Sequence, residues 1–452
     1  MKQKLFAAGL LAALVCQGTA QAAVSAAEAE KLGTTLTPIG AEQAGNAAGT
    51  IPAWLGGNSA VPTGFASGGH YPDPFANDAT LFTIDAAGTE AYRAQLSPGQ
   101  LALFKRYPDW KMKVYPSRRS AAYPAGLYAE TRGNATKVKL VAGGNGLEGT
   151  NGGVPFPIPQ SGLEVIWNHL TVYKGDTYAT SWAQAPVTAS GDYNLVKFDY
   201  EYDFVYSNQK KSPAQRESGL LFYFLQTIKE PARLAGSILL VDDFIDQVKT
   251  PRKAWTYNPG QRRVRLAPTV SYDNPGTAAD GLRTNDDFFM FNGATDRYDW
   301  KLVGKKEMYI PYNAYRVNGP SLKVKDLLKV GHVNPEPLRY ELHRVWVVES
   351  TLKPGIAHLY KRRTFYIDED SWIIHAVDKY DNRDQLWRYD ELHSYGYYDV
   401  PFLAPGLEVK HDLQSGRYIA LSLRNEEKVV YQPIVRTAAD FTPDALRIKG
   451  TR

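Results

Sequence analysis

Asp242, Asp243 and Asp246 follow the apolar run Ser237–Val241. Carboxylates this close could bind calcium, or divide the acid and base roles of glycoside hydrolysis. The trio lacks the spacing and central glycine of an EF-hand loop, and it reads as a solvated strand end or helix cap before it reads as a site. Asp242 and Asp246, with Asp378, are the carboxylates a secreted hydrolase would draw on. Asp368-Glu369-Asp370 is a polar joint between two apolar stretches and reads as a turn before it reads as a site. The eight histidines are His70, His169, His332, His343, His358, His375, His393 and His411. None are spaced i, i+2 or i, i+4, so no local metal site is encoded and no metal is expected.

Other signatures are missing. There is no G-x-S-x-G, no H-E-x-x-H and no P-loop, since Asp299 stands where Gly304-Lys305 would need a glycine. The glycine-rich stretch 143–153 runs into Pro155, Pro157 and Pro159 and reads as a surface loop, with a lid as the other reading. The only cysteine is Cys16, inside a segment that reads as removable, which excludes disulfides, thiolate metal sites and Cys nucleophiles from the mature chain. No catalytic residue or cofactor is expected.

Two features point to binding. Arg262, Arg263 and Arg265 sit on a strand that puts Val264 and Leu266 on one face and Arg263 and Arg265 on the other. They are candidates for a headgroup or partner contact; a solvated amphipathic strand is the plain alternative. Phe222, Phe224, Ile238, Leu240, Phe289, Trp346, Val348, Trp372 and Ile374 are large apolar positions on or beside strands. If the sheet curls and its interior is not filled, they line a ligand cavity; if it is filled, they are core.

The chain has 452 residues, 44% hydrophobic and 22% charged, with 29 Tyr, 17 Phe and 9 Trp. That supports a substantial core and leans toward β structure. A net charge of +5 over this length does not indicate nucleic-acid binding. Lys2 and Lys4, the apolar run Leu5–Val15 and Ala20-Gln21-Ala22 form a signal peptide over 1–22, cleaved between Ala22 and Ala23. No other apolar run approaches membrane-spanning length, so a periplasmic protein without a transmembrane segment is expected.

Residues 23–80, rich in Ala, Gly, Pro and Asn, read as an extended arm whose Trp54, Phe65 and Tyr71 would dock on a body. Residues 81–171 read as a helical and loop region. Capping boxes at Ser97–Gln100 and Ser161–Glu164 start two helices, the second with Leu163, Ile166, Trp167 and Leu170 as one apolar stripe. From 172 to 452 short strands follow one another: 173–185, 194–206, 219–228, 236–242, 253–258, 262–267, 298–310, 340–352, 358–367, 371–381, 385–398, 415–424 and 428–435. Asn258-Pro259-Gly260-Gln261 has the type II turn pattern. The pattern predicts a mainly β (α+β) fold, a large curved antiparallel sheet or half-open barrel with covering helices.

Trp255–Pro268 resembles the hairpin of outer-membrane lipoprotein-sorting-like proteins. Leu36–Glu42 with Gly49–Gly57, Asp296–Lys301, Tyr309–Tyr315 and Lys361–Trp372 resemble a family catalogued as a domain of unknown function, number 1329. The likeness runs from Leu36 to Arg436. It implies a fold similar to the lipoprotein carrier and receptor proteins LolA and LolB, a half-open barrel whose apolar cavity is covered by helices. It also implies secretion by Gram-negative cells, with a resistance-nodulation-division permease and an outer-membrane protein as partners. The expected function is binding of a lipid, lipoprotein acyl chain or other hydrophobic molecule, in concert with an envelope transport system. The alternatives are the carboxylate hydrolase and a non-catalytic envelope scaffold.

Overall fold

Strands dominate the chain because β-branched and aromatic residues alternate with polar ones and turns interrupt them every few residues. A computed structural model describes residues 24–451 apart from positions 151, 217, 248, 268, 269 and 271. The expected signal segment 1–22 and the expected cleavage between Ala22 and Ala23 lie outside the described residues.

In chain order the strands are β1 (Phe82–Ile84), β2 (Met112–Val114), β3 (Lys139–Val141), β4 (Gly146–Glu148), β5 (Thr177–Val187), β6 (Val196–Asp203), β7 (Leu220–Glu230), β8 (Ile238–Phe244) and β9 (Lys253–Asn258). They continue with β10 (Arg263–Leu266), β11 (Tyr298–Pro311), β12 (Tyr340–Leu352), β13 (Arg362–Asp368), β14 (Ile374–Tyr380), β15 (Leu386–Tyr397), β16 (Phe402–Asp412), β17 (Tyr418–Leu423) and β18 (Gln432–Pro433). Sixteen of them form one sheet in the order β1-β2-β12-β13-β14-β15-β16-β17-β5-β6-β7-β8-β9-β10, with β11 joined to β12 and β18 to β5. All pairings are antiparallel except the β2–β12 contact. The path ends at β1 and β10, which do not pair, so the sheet is open and not a closed barrel.

Two strand-level expectations change. β16 was not among the expected strands, because Pro405-Gly406 reads as a break. The structure absorbs it as a bulge: His393 faces Leu407, Ser394 faces Pro405, and Gly406 is the extra residue. A Cβ at Gly406 would stand 2.8 Å from the Tyr395 ring and 2.9 Å from the His393 carbonyl, which explains the glycine. The turn after Asn258 is not type II. Gly260 is not among the positive-φ glycines; Arg262 takes the positive φ, 51°, and Gln261 N–H caps Asn258 Oδ1.

Register fixes which side chains share a face. Trp346, Val348, Phe365, Val377, Lys379, Asp390, Lys410, Ile419, Trp182, Tyr200, Phe224 and Val241 fall on one side, traced from pair to pair across the sheet. Two inserts cover this inner face. The helix Gly162–Leu170 lies over β11 and β12, with Ser161 capping Glu164 N–H. It is buried on more than one stripe, Val165 and Asn168 included, because it is enclosed rather than laid on a surface. Gly162 permits the close approach, since a Cβ there would stand 2.8 Å from the Lys301 carbonyl carbon. The second insert is the segment 272–297 between β10 and β11.

The opposite face carries the helix Pro98–Arg106, whose Ser97–Gln100 capping box forms as the spacing predicts. The N-terminal arm is held, not loose. Ile39, Ile51 and Tyr71 join the main core. Arg119 and Arg344 donate to the carbonyls of Glu42 and Ala44, and Trp372 Nε1 donates to Ile39 O.

Candidate ligand cavity

The inner face between β5 and β8 is neither under the helix nor filled by side chains. A cavity of about 120 Å³ remains there, open at one side. Alternation aims its walls: Tyr178, Thr180 and Trp182 from β5, Tyr202 with Phe204 just past β6, Phe222, Phe224 and Gln226 from β7, and Leu239, Val241 and Asp243 from β8. The rings form a continuous surface. Trp182 stacks on Tyr200 at 4.3 Å, Tyr202 on Phe204 at 5.2 Å, and Phe224 meets Tyr202 at 5.2 Å.

The segment 272–297 forms the facing wall with Arg283, Phe288 and Phe289, and the ends of β16 and β17 add Phe402 and Arg424. Phe289 and Met290 take left-handed backbone, φ 51° and 67°, a conformation that costs side-chain-bearing residues about 1–3 kcal/mol. His169 on the helix holds them there: its Nε2 bonds Phe289 O at 3.0 Å and its ring stacks on Phe289. Burial, helped by the Lys174 charge, lowers the His169 pKa to about 3, so it is neutral and can donate to that carbonyl.

Charge in the cavity is one-sided. Arg252 binds Asp243 at 2.8 Å and ties β8 to Val270 O. Lys174 Nζ lies 4.5 Å from the Phe289 ring centroid; burial pulls its pKa down to about 7 against the weaker pull of Asp243. Arg283 donates to Thr284 O and sits over the Phe288 ring, and Arg424 donates to Pro405 O.

The expected cavity residues divide by parity. Phe222, Phe224 and Phe289 line the cavity. Ile238 and Leu240 do not, because in β8 they alternate with Leu239 and Val241 and pack instead against Tyr257, Phe441 and Leu446. Trp346, Val348, Trp372 and Ile374 belong to the filled core by the helix Gly162–Leu170; Ile374 N–H donates to His169 there. Arg263 and Arg265 point to the cavity's side of the sheet but lie two strands past β8 and are exposed, as is Arg262 in the turn. None of the three lines the cavity.

Of the hydrolase carboxylates, Asp378 lies remote along the sheet from Asp242 and Asp246. Asp242 faces away from the cavity, with its pKa raised to about 6 by burial. Asp378 lies under the helix Pro98–Arg106, accepting from Ser97, Gly99 and Tyr366. Six strands separate β8 from β14 along the sheet, which at ~4.8 Å per step exceeds the ~5–10 Å a glycosidase pair needs.

His343, Asp368 and Asp370 do converge, within 4.8 Å, although sequence spacing encodes no such group. Arg119 already grips both oxygens of Asp370, and Ser371 and Tyr312 donate to Asp368. The Asp368-Glu369-Asp370 turn is a buried clamp for the arm, with Arg344 on Glu369 at 2.6 Å.

Sequence reasoning missed Lys174, Arg283, Phe288 and Arg424. The aromatic ladder at 198, 200, 202 and 204 was a readable signal. The arginines had none, since only folding brings segment 272–297 and the end of β17 to one wall.

The profile of the family described as "Protein of unknown function (DUF1329)" matches residues 83–447. The chain belongs to the DUF1329 family. "Uncharacterized protein PA3922" of Pseudomonas aeruginosa is 52% identical over 448 residues, 98% of each chain. Among solved structures, a DUF1329 family protein from Desulfovibrio piger is 14% identical, covering 63% of this chain and 96% of its own, with TM-score 0.43. A putative outer membrane lipoprotein-sorting protein domain from Vibrio parahaemolyticus is 13% identical, covering 63% and 98%, TM-score 0.43. LolA superfamily protein NE2245 from Nitrosomonas europaea is 12% identical, covering 64% and 100%, TM-score 0.38. No helix among the described residues is long and apolar enough to cross a membrane.

Proposed function

We propose that this protein is a non-catalytic periplasmic carrier or receptor that takes a lipid or other hydrophobic molecule into the β5–β8 cavity. One observation carries the reading: over β5–β8 the inner face keeps an unfilled cavity walled by aromatic rings. Large rings left facing unfilled space forgo contacts that a close-packed core would supply, and an apolar guest restores them. The carrier need not react with its cargo, so the separation of Asp378 from Asp242 and Asp246 is no obstacle.

The volume constrains the cargo. A cavity of roughly 150 Å³ holds a benzene-sized guest, so about 120 Å³ accepts a ring or a short chain end. A full acyl chain requires the half-buried Phe222, Tyr202 and Phe288 to part, or its tail to leave by the open side. The test is native mass spectrometry of protein purified gently from its own periplasm, followed by organic extraction. A discrete adduct released by solvent supports the reading. A clean apoprotein mass, with stable capture of envelope proteins by that apoprotein, would favour the scaffold instead.

A further inference from the structure

Nine arginines and lysines are buried among the described residues: Arg119, Arg283, Arg339, Arg344, Arg363, Lys379, Arg388, Lys410 and Arg424. Seven have a carboxylate within 4.0 Å. The two that do not, Arg283 and Arg424, both line the cavity. They are 5% and 4% exposed, and the Nε of each has no hydrogen-bond partner among the described residues. The half-buried Lys174 also lines the cavity, with no ion pair among the described residues.

The acidic groups that act on Arg283 through space are Glu408, Asp287 and Asp286. Each is engaged elsewhere, Glu408 by Lys410, Asp287 by Lys379 and Asp286 by Arg363. The groups around Arg424 are phenols, led by Tyr397 and Tyr395, and not carboxylates. An unpaired buried cation is costly, and an anion brought by a ligand removes that cost.

We infer that the cargo is an anionic amphiphile, with a carboxylate or phosphate held by Arg283, Arg424 and Lys174 and its apolar part against the β5–β7 rings. This rests on the carrier reading. It moves the headgroup contact from Arg262, Arg263 and Arg265 to the cavity wall. Arginine suits the task because its planar fork can bind two oxygens of one headgroup.

The test is calorimetric titration of the purified full mature protein at pH 6.5 with decanoate, decanol and inorganic phosphate. Decanoate should bind at least tenfold more tightly than decanol, and phosphate alone far more weakly than either. Arg283→Met and Arg424→Met should each weaken decanoate about tenfold and leave decanol unchanged, while Arg283→Lys and Arg424→Lys should retain most of the affinity. If a methionine variant does not fold, Lys174→Met, at a half-buried site, tests the same selectivity. Equal affinity for decanol and decanoate overturns the anionic inference and leaves the carrier reading standing. Phosphate binding as tightly as decanoate also overturns it, marking an anion site without an apolar guest. Failure of both decanoate and decanol to bind overturns the carrier reading and the inference with it.

Discussion

The two halves of the inner face receive charge differently. Over β13–β16, Arg363, Lys379, Arg388 and Lys410 point inward, and segment 272–297 delivers Asp286 and Asp287 into their midst. Lys379 is shared between Asp287 at 2.8 Å and Asp390 at 2.6 Å, and Lys410 between Asp390 at 2.9 Å and Glu408 at 3.2 Å. Over β5–β8 the same segment delivers Arg283 and Phe288 instead, facing rings and, among the described residues, no carboxylate free of a partner. One half is neutralised by the protein itself. The other is left cationic and partly empty, and the same insert builds both. Charges that a chain balances internally are structural, and charges it leaves unbalanced in a cavity specify what enters.

The sharpest way to break this comparison is to unbalance the closed half. Asp287→Ala leaves Lys379 with Asp390 alone and takes a buried carboxylate from beside Arg363, and should cost about 3 kcal/mol, seen as a lower denaturation midpoint. Arg283→Met on the open side removes an unpaired cation and should leave stability within about 1 kcal/mol of the parent, or higher. Equal losses in the two variants would erase the distinction.

Phe224→Ala should cost about 2–3 kcal/mol, less than a fully packed phenylalanine, because one side of its ring already faces the cavity. The larger cavity should then prefer bulkier ligands, which competition between decanoate and a ring-bearing acid would show. Gly162→Ala pushes a methyl into the Lys301–Leu302 backbone and should cost about 1–3 kcal/mol by lifting the helix.

The halves should also differ in pH response. Burial raises the Asp286 pKa, but Arg363 and the His358 hydrogen bond outweigh it and hold it at about 2. Its folded value lies below its unfolded value, so its stabilisation is present above about pH 4 and is lost as pH falls toward 2. Lys174, lowered to about 7, is charged below that pH and neutral above it. It faces Asp243, His169, which is neutral near pH 7, and Arg252, already paired to Asp243. Decanoate affinity should therefore weaken as pH rises from 6 to 8, and Lys174→Met should flatten that slope. The smallest effect is at the rim: alanine at Arg262, Arg263 or Arg265 should change stability by no more than about 0.5 kcal/mol and leave decanoate binding unchanged.

Much of the fold was legible. Strand alternation gave the sheet, and the serine caps placed the helices Pro98–Arg106 and Gly162–Leu170. The Pro405-Gly406 pair hid β16, because a bulge and a turn use the same residues. The site was less legible. Phe222 and Phe224 stood out by size, but so did Ile238 and Leu240, and only register against β7 puts the latter pair on the opposite face. Trp346 and Trp372 look as suited to a cavity as Trp182 does; the helix Gly162–Leu170 covers them and leaves Trp182 uncovered.

By itself the sequence determined a β-rich chain with a large core, an N-terminal segment patterned for export, and no cysteine chemistry beyond it, because these depend on composition and on neighbours a few positions apart. The tertiary structure decided which apolar face is filled and which cations are left without a partner. Those depend on where an insert of some two dozen residues lands among strands far away in the chain, and no local pattern records that distance.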